Sequence, residues 1–344
     1  MMMKSRIVGF LGLCFCLMVS NAKAQDHLFS QFFNAPIYLN PSLTGQFDGD
    51  LRLNMIYRNQ WSSLSGDLSY INASIDVNVP KLSGGVGLSF NRSSEGTAYL
   101  VKNNVALTYS YSVGDDDFLA SFGLQAGFTN RSIDWSKLVF IDQIDRRIGY
   151  VPGSVSSAQL PDMSNKFFFD PAAGANFVYR NFMLGAGLYH INKPDESFSS
   201  AQARLPMRWT LNASFKMPLS YRYDYLEDEG AFLIPSVVYY KQGNTSSLSA
   251  GAQFKYRSFN SGIWYRTNAL NGSDAIVVSL IFDIFLKRND SEKMRIGISH
   301  DATTSRLNYT NTSGTTEASL GYEKYWPNST RIKKYNGLRC SSFF

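Results

Sequence analysis

The chain has little sulfur and little histidine. Three cysteines stand among 344 residues, and Cys14 and Cys16 fall in an apolar leader expected to be removed. The exported chain then keeps Cys340 alone and no internal disulfide, so packing and backbone hydrogen bonds must hold it together. Leu13 and Phe15 precede the two leader cysteines where a lipid-transfer site needs small residues, which argues against lipidation. The three histidines, His27, His190 and His300, are far apart and lack metal-ligand spacing. No G-x-S-x-G, H-E-x-x-H or glycine-rich phosphate loop is present, so neither an enzyme nor a cofactor is expected. The acidic runs Asp115-Asp116-Asp117 and Glu227-Asp228-Glu229 read as solvated turns rather than calcium sites. Also missing is an apolar run long enough for a membrane helix, which takes ~20 residues; AIVVSLIFDIFL is shorter and contains Asp283.

What is present begins with an export signal over residues 1–24. Lys4 and Arg6 precede the apolar residues 7–19, and Ala22-Lys23-Ala24 supplies a cleavage pattern before Gln25. Export excludes nucleic acid as a partner, and the net charge of +6 comes from Lys and Arg scattered among acids rather than clustered. Aromatic residues reach 15%, with 25 Phe and 20 Tyr. Mean hydropathy is −0.18, which does not suit a helical membrane protein. It does suit a membrane barrel, in which apolar and polar residues alternate and the average cancels.

Alternation recurs from Leu51 to Trp326. In LSAGAQFKYR, Leu248, Ala250, Ala252, Phe254 and Tyr256 oppose Ser249, Gly251, Gln253, Lys255 and Arg257. Fourteen such segments begin near Leu51, Leu68, Gly85, Tyr99, Phe118, Asp170, Phe182, Met207, Ala231, Ser247, Gly262, Asp274, Lys293 and Thr315. Many are close to the ~9–11 residues of a tilted membrane strand, longer than the ~5–6 of a soluble sheet. A sheet in lipid must close on itself to satisfy its edges. Even-numbered connections are mostly short, such as PKLSGG, GDDD and YRN, although LSYRYDYLEDEG is longer; the three longest, 132–169, 193–206 and 301–314, are odd-numbered. That parity is the pattern of a bacterial barrel with short periplasmic turns and long outer loops. A secreted sandwich or solenoid shares the alternation, but neither strand length nor parity favours it. The expected architecture is an all-β, transmembrane, antiparallel barrel over 49–326, preceded by a periplasmic segment over 25–48 and followed by a periplasmic basic tail over 327–344.

Arg52, Arg58, Lys102, Arg131, Lys216, Lys255, Arg257 and Arg266 are predicted to face inward, outnumbering the inward acids that the alternation identifies. Two consequences stay open: an anion-selective lumen, or a filled lumen in which each cation has a carboxylate.

The stretch DHLFSQFFNAPIYLNPSLTG, followed by LRLNMIYRNQW, resembles the N-terminal hallmark of the PorP/SprF family of outer-membrane proteins. The matching positions are Asn34, Pro36, Asn40, Pro41, Gly45, Tyr57, Arg58, Gln60 and Trp61. GLYHINKPDESF, with His190, Asn192 and Pro194, and SGIWYR, with Trp264, Tyr265 and Arg266, are similar to later family elements. The resemblance implies a barrel like that of fatty-acid transporters, a multi-pass position in the outer membrane with both termini periplasmic, and no enzymatic activity. It implies as partners an exported surface adhesin with a type B C-terminal domain and components of the type IX secretion and gliding machinery. Membrane lipids would surround it. Trp135, Val139, Phe140, Ile141 and Phe198 in the long loops are candidate partner contacts, and Lys333, Lys334 and Arg339 are candidate periplasmic contacts. The opening stretch, with prolines that remove donors and Asn side chains that cap turns, would fold under or into the barrel mouth. The alternative is a transporter for hydrophobic or anionic solutes.

Overall fold

Alternating residues on long segments with short turns between them produce one continuous antiparallel sheet. The computed structural model describes residues 26–64, 66, 68–96, 100–158, 163–200, 202–219, 230–268, 272–286, 291–327 and 340–343. The expected leader, residues 1–24, lies outside the described residues. Fourteen strands follow one another: β1 (Leu51–Gln60), β2 (Leu68–Val79), β3 (Gly84–Glu95), β4 (Leu100–Gly114), β5 (Phe118–Ser132), β6 (Asn165–Tyr179) and β7 (Phe182–Tyr189), then β8 (Arg208–Phe215), β9 (Ala231–Gln242), β10 (Thr245–Tyr256), β11 (Phe259–Asn268), β12 (Gly272–Phe285), β13 (Glu292–Thr303) and β14 (Thr315–Lys324). Each pairs with its sequence neighbour, and β1 closes the cylinder against β14 with Leu51 opposite Lys324 and Gln60 opposite Thr315.

Closure leaves no edge, which is the condition for a sheet in hydrocarbon. The outward face supplies the second condition: Leu107, Leu124, Phe128 and Ile263 are all more than half exposed. An apolar girdle of this extent is not stable against water, and it fits acyl chains. Among the described residues no helix is long and apolar enough to cross a membrane; the crossing is made by strands.

Two sequence expectations shift. The sixth strand begins at Asn165 rather than near Asp170, because β6 pairs with β5 along its whole length, Ser132 opposite Asn165. Arg257, expected inside, stands exposed in the β10–β11 turn at φ +51 and lies over the Tyr256 ring; the strand ends one residue before it, so the alternation no longer governs its direction.

The opening segment, expected as a periplasmic lead-in folding under or into the barrel mouth, runs inside the barrel. Every residue from Phe29 to Phe47 is buried. The chain enters this path near the long-loop end, where Asp26 meets β4 and β8 through Lys102 and Arg208. It leaves at the short-turn end, where Gly45 meets Gly85 of β3. A short α-helix, α1 (Pro36–Leu39), and two 3-10 turns, Phe32–Asn34 and Pro41–Leu43, fold it compactly. Both Pro36 and Pro41 occupy first helical positions, where the missing donor costs nothing. The inner face of β12, apolar in sequence, is explained by this filling: Val277 and Ile281 join Phe32, Phe33 and Trp264 in one buried cluster. Phe343, at the end of the tail, is fully buried in the same cluster, so the tail's last described turn, Cys340–Phe343, returns to the lumen. Lys333, Lys334 and Arg339 lie outside the described residues.

Candidate functional site: a filled lumen and its outer vestibule

The N-terminal segment is bonded to strands on every side. Asn40 donates from Nδ2 to the Ala175 carbonyl of β6 (3.0 Å) and accepts from the Ser42 amide (3.0 Å), capping the second 3-10 turn. Thr210 of β8 donates to the Leu39 carbonyl (2.8 Å), Tyr189 of β7 to the Ile37 carbonyl (2.8 Å), and Ser110 of β4 to the Thr44 carbonyl (2.5 Å). Asn34 bridges Gln31 and Ser319 of β14. The wall is bare where the segment presses on it. A Cβ at Gly123 would come 2.3 Å from the Pro41 carbonyl carbon and the Ser42 nitrogen, and one at Gly85 would come 2.5 Å from the Gly45 Cα. Only glycine fits at such backbone contacts.

A charged lattice anchors the outer third. Arg58 of β1 donates from Nη1 to Glu317 (2.5 Å), Asp301 (3.3 Å) and Ser30 (3.1 Å). Arg266 of β11 donates to Asp301 (2.7 Å), Asp274 (2.6 Å) and Ser30 (2.9 Å). Glu317 also accepts from the Ser30 and Gln31 amides, at 2.7 and 2.8 Å. The two guanidiniums and the carboxylates of Asp301 and Glu317 balance in charge, and all four side chains are less than a tenth exposed. At the other end Arg52 pairs with Asp76 (2.7 Å), which accepts from the Gly45 amide (2.7 Å), and Arg295 pairs with Asp283 (2.7 Å). Of the predicted inward cations, Arg52, Arg58, Lys102, Arg131 and Arg266 thus stand against carboxylates inside the barrel, which favours the filled-lumen reading over the anion-selective one. The inward acids missed in sequence, Asp76, Asp283, Asp301 and Glu317, sit at alternating strand positions and were legible by that signal.

Towards the loop end lies a half-open cavity with about 840 Å³ of empty space, mouth included. Its floor is an Asp-His-Asp chain: His190 meets Asp170 through Nδ1 (2.7 Å) and Asp26 through Nε2 (2.5 Å). Burial would drive this imidazole neutral, but the two carboxylates raise its pKa above the ordinary value; with both nitrogens engaged, it serves as a fixed cation. Burial would raise Asp26, yet Lys102, His190 and Arg208 outweigh it and hold the carboxyl well below the usual range. His27, stacked on Tyr38 and on Tyr70 at 4.2 Å, is pushed down to about 3 by burial, with Arg208, Arg58 and Lys102 adding to the effect against Asp26.

The family-motif residues divide by face. Asn34, Pro36, Asn40, Pro41, Gly45, Arg58, His190, Trp264 and Arg266 converge on the seated segment or the chain around it. Trp264 packs on Phe33 with ring centroids 5.6 Å apart. Tyr57 and Tyr265 face outward instead. Gln60 accepts from Arg58 at 3.4 Å, Trp61 (φ +56) ties its amide to the Gly314 carbonyl (2.9 Å), and Asn192 donates to the Phe169 carbonyl (2.7 Å). Pro194 is buried, its carbonyl accepting from the Leu205 amide (2.9 Å).

The predicted contact loop is built rather than loose. Asp142 accepts from the Ser156 hydroxyl (2.8 Å) and the Ser157 amide (2.7 Å), cinching the loop, and a small hairpin pairs Ile144–Asp145 with Gly149–Tyr150. Ile141 is 90% exposed and Val155 95%; Val139, Ile144, Ile148 and Tyr150 are exposed beside them. Trp135 and Phe198 are instead half-buried against each other at 5.9 Å, with Arg131 over the Phe198 ring, and Phe140 is half-buried. Of the five predicted contacts only Val139 and Ile141 are thus exposed, and Ile144, Ile148, Tyr150 and Val155 of the same loop are exposed with them.

A family model for the type IX secretion system membrane protein PorP/SprF matches residues 21–322. Among solved structures, the TodX monoaromatic hydrocarbon channel (a deltaS2S3 mutant) is 11% identical, with 85% of this chain and 94% of that one covered and a TM-score of 0.47. The outer membrane protein Omp33 of Acinetobacter baumannii is 7% identical, with 81% and 98% covered and a TM-score of 0.41. The translocator domain of the autotransporter NalP from Neisseria meningitidis is 11% identical, with 81% and 90% covered and a TM-score of 0.34. No curated protein matches the chain.

Proposed function

The chain belongs to the PorP/SprF family of type IX secretion system membrane proteins, and from that premise we propose that it is a docking and anchoring barrel. Its loop end receives a protein exported by that system, helps its secretion and holds it at the cell surface. The partner class is a large gliding or surface adhesin with a type B C-terminal domain, and components of the machinery contact the barrel within the outer membrane and from the periplasm. The role is non-enzymatic.

The observation that carries this reading is the filled lumen. Residues 29–47 are buried throughout, with carboxylates and guanidiniums matched around them. A barrel stuffed in this way offers a surface at its end in place of a passage. The exposed Ile141, Ile148 and Val155, beside the charged Arg146 and Arg147, have the mixture of apolar anchors and polar rim that protein interfaces use. The half-open cavity favours the second reading, a transporter for hydrophobic or anionic solutes, but its floor is closed by the Asp26–His190–Asp170 chain and its cations already hold carboxylates. Deleting the gene tests the first reading: surface display of one exported partner should stop while other exported proteins remain displayed. Unchanged display of every exported protein would refute it, and a solute-uptake defect with normal display would favour the second.

A further inference from the structure

At the loop end, β6 runs well past its neighbour β7. Its ladder with β5 continues from Tyr179 to Asn165, whereas its ladder with β7 stops at Ala173 opposite Leu188. Ile133 donates its amide to the Ser164 carbonyl, which sets the parity. Even-numbered residues of β6 bond to β5, and odd-numbered ones turn their N–H and C=O groups to the side that β7 does not reach. Pro171 ends the β6–β7 ladder, because on that side it offers a carbonyl and no donor. The chain after β7 takes up two of these groups: the Ile191 amide donates to the Pro171 carbonyl (3.3 Å), and Asn192 Nδ2 to the Phe169 carbonyl (2.7 Å). Beyond them the N–H and C=O of Asn165 and Phe167 and the N–H of Phe169 have no partner among the described residues.

This edge stands in water, since hydrocarbon does not tolerate unpaired backbone groups. Phe169 packs on Phe128 of the lipid-facing girdle (5.4 Å), and Phe167 stands beyond it, 72% exposed. Exposed Asn130 and Asn165, bonded to each other, flank the edge. The loop over 193–206 passes along the inner side instead of covering it: Asp195 meets Lys166 (3.3 Å), and Glu196 and Phe198 meet Arg131. An exposed edge is a template for another strand unless charge, proline or a bulge blunts it. Lys166 is drawn inward to Asp195, and Pro171 lies below the open groups, so neither blunts residues 165–169. Donors and acceptors repeating every two residues, about 7 Å, match an extended polypeptide and not a lipid. The same strand continues the loop that carries the exposed Ile141 and Val155.

We propose that residues 165–169 accept an added β-strand from the exported partner, paired through its main chain, with apolar side chains at alternate positions against Phe167 and Phe169. The inference deepens the docking reading and rests on it for the source of the strand.

The test begins with the purified barrel in detergent, labelled with nitrogen-15 at phenylalanine, which carries its own control. The Phe168 amide faces β5 and should exchange slowly with solvent, while those of Phe167 and Phe169 exchange fast. The probe is an acetylated, amidated peptide of alternating Val and Thr with lysine at both ends. It should slow Phe167 and Phe169 about tenfold or more, the factor for a newly made main-chain hydrogen bond. The same peptide N-methylated at alternate amides should not. In cells, Phe167→Pro removes an edge donor while sparing the β5 ladder, so its thermal midpoint should match the parent. Display of the protein that gene deletion displaces should fall about tenfold, and less in Phe167→Ala, which keeps the backbone. Absence of protection, equal protection by the methylated peptide, or display in a folded Phe167→Pro variant equal to the parent would overturn the proposal. So would a concentration-dependent dimer that protects these amides without peptide, which assigns the edge to a second copy. A deletion that displaces nothing, with peptide protection intact, removes the docking reading and leaves the strand site standing; a displaced protein that Phe167→Pro still displays does the reverse.

Discussion

Removing one guanidinium from the outer lattice should loosen the N-terminal segment from the wall. Arg58 is 4% exposed and stands between Glu317 at 2.5 Å and Asp301 at 3.3 Å. Arg58→Ala leaves Glu317 held by the Ser30 and Gln31 amides and Asp301 held by Arg266, so a buried site that balanced now carries one excess negative charge. Breaking a buried pair from one side costs roughly 3–5 kcal/mol. At roughly 2 °C per kcal/mol for a chain of this size, the thermal midpoint should fall by about 6–10 °C. The assay is heat-modifiable gel migration across a temperature series in detergent. A double-mutant cycle with Glu317→Gln separates the pair from its surroundings: Glu317→Gln removes the stranded charge but keeps acceptor capacity, so the double variant should recover more than about 1 kcal/mol of the single-variant loss. The apolar side chains from Phe32 to Phe47 stay seated, and loosening is expected at residues 26–31 first. A midpoint within about 2 °C of the parent, or additivity within about 0.5 kcal/mol, would refute the anchoring role of the lattice.

Four further outcomes follow from the same geometry. The intact protein in a planar bilayer should show no large steady conductance; a porin-like open state would refute the filled lumen. Gly123→Val should displace the segment at Pro41–Ser42, because the contacting atoms are backbone, and should expose residues 29–47 to protease; protection equal to the parent would refute the close approach. His27 is held neutral with a pKa of about 3 against 6.5 in an unfolded chain, so the unfolded chain binds the extra proton between those values. Stability should fall as pH drops from 6.5 towards 3, by up to about 1.4 kcal/mol per pH unit. Asp26, held low, adds loss as pH falls below the ordinary carboxylate value, whereas His190, held high, contributes stability that is present below the ordinary histidine value and lost as pH rises through its raised one. His27→Phe keeps the stack and should flatten the acid slope; identical slopes in both proteins would sink the assignment. Finally, Ile141→Asp with Val155→Asp should abolish partner display while leaving the thermal midpoint unchanged, since both side chains are at least 90% exposed; normal display would remove this loop from the docking surface.

Much of the wall was legible because a strand in lipid has a strict two-residue period and little freedom to violate it. The inward cations Arg52, Arg58 and Arg266 were placed by counting alternate positions, and the same count carries Asp76, Asp301 and Glu317 to the inner face. The sixth strand's start was misplaced because NKFFF, residues 165–169, alternates too weakly to be told from loop. Arg257 was misplaced because a turn ends the alternation. Trp135 and Phe198 illustrate a different limit: each looks like a free anchor in its own loop, and only the approach of two distant loops packs them together.

From the sequence alone came the closed antiparallel sheet, its fourteen strands, its lipid-facing girdle and an opening segment too kinked to be a strand. Those are local properties, set by side-chain period, turn residues and the missing amides of Pro36 and Pro41. Where that opening segment goes was decided by tertiary structure. Asp26 meets residues 76, 164 and 182 positions away, and no local pattern encodes which carboxylate will find which guanidinium once the cylinder has closed around them.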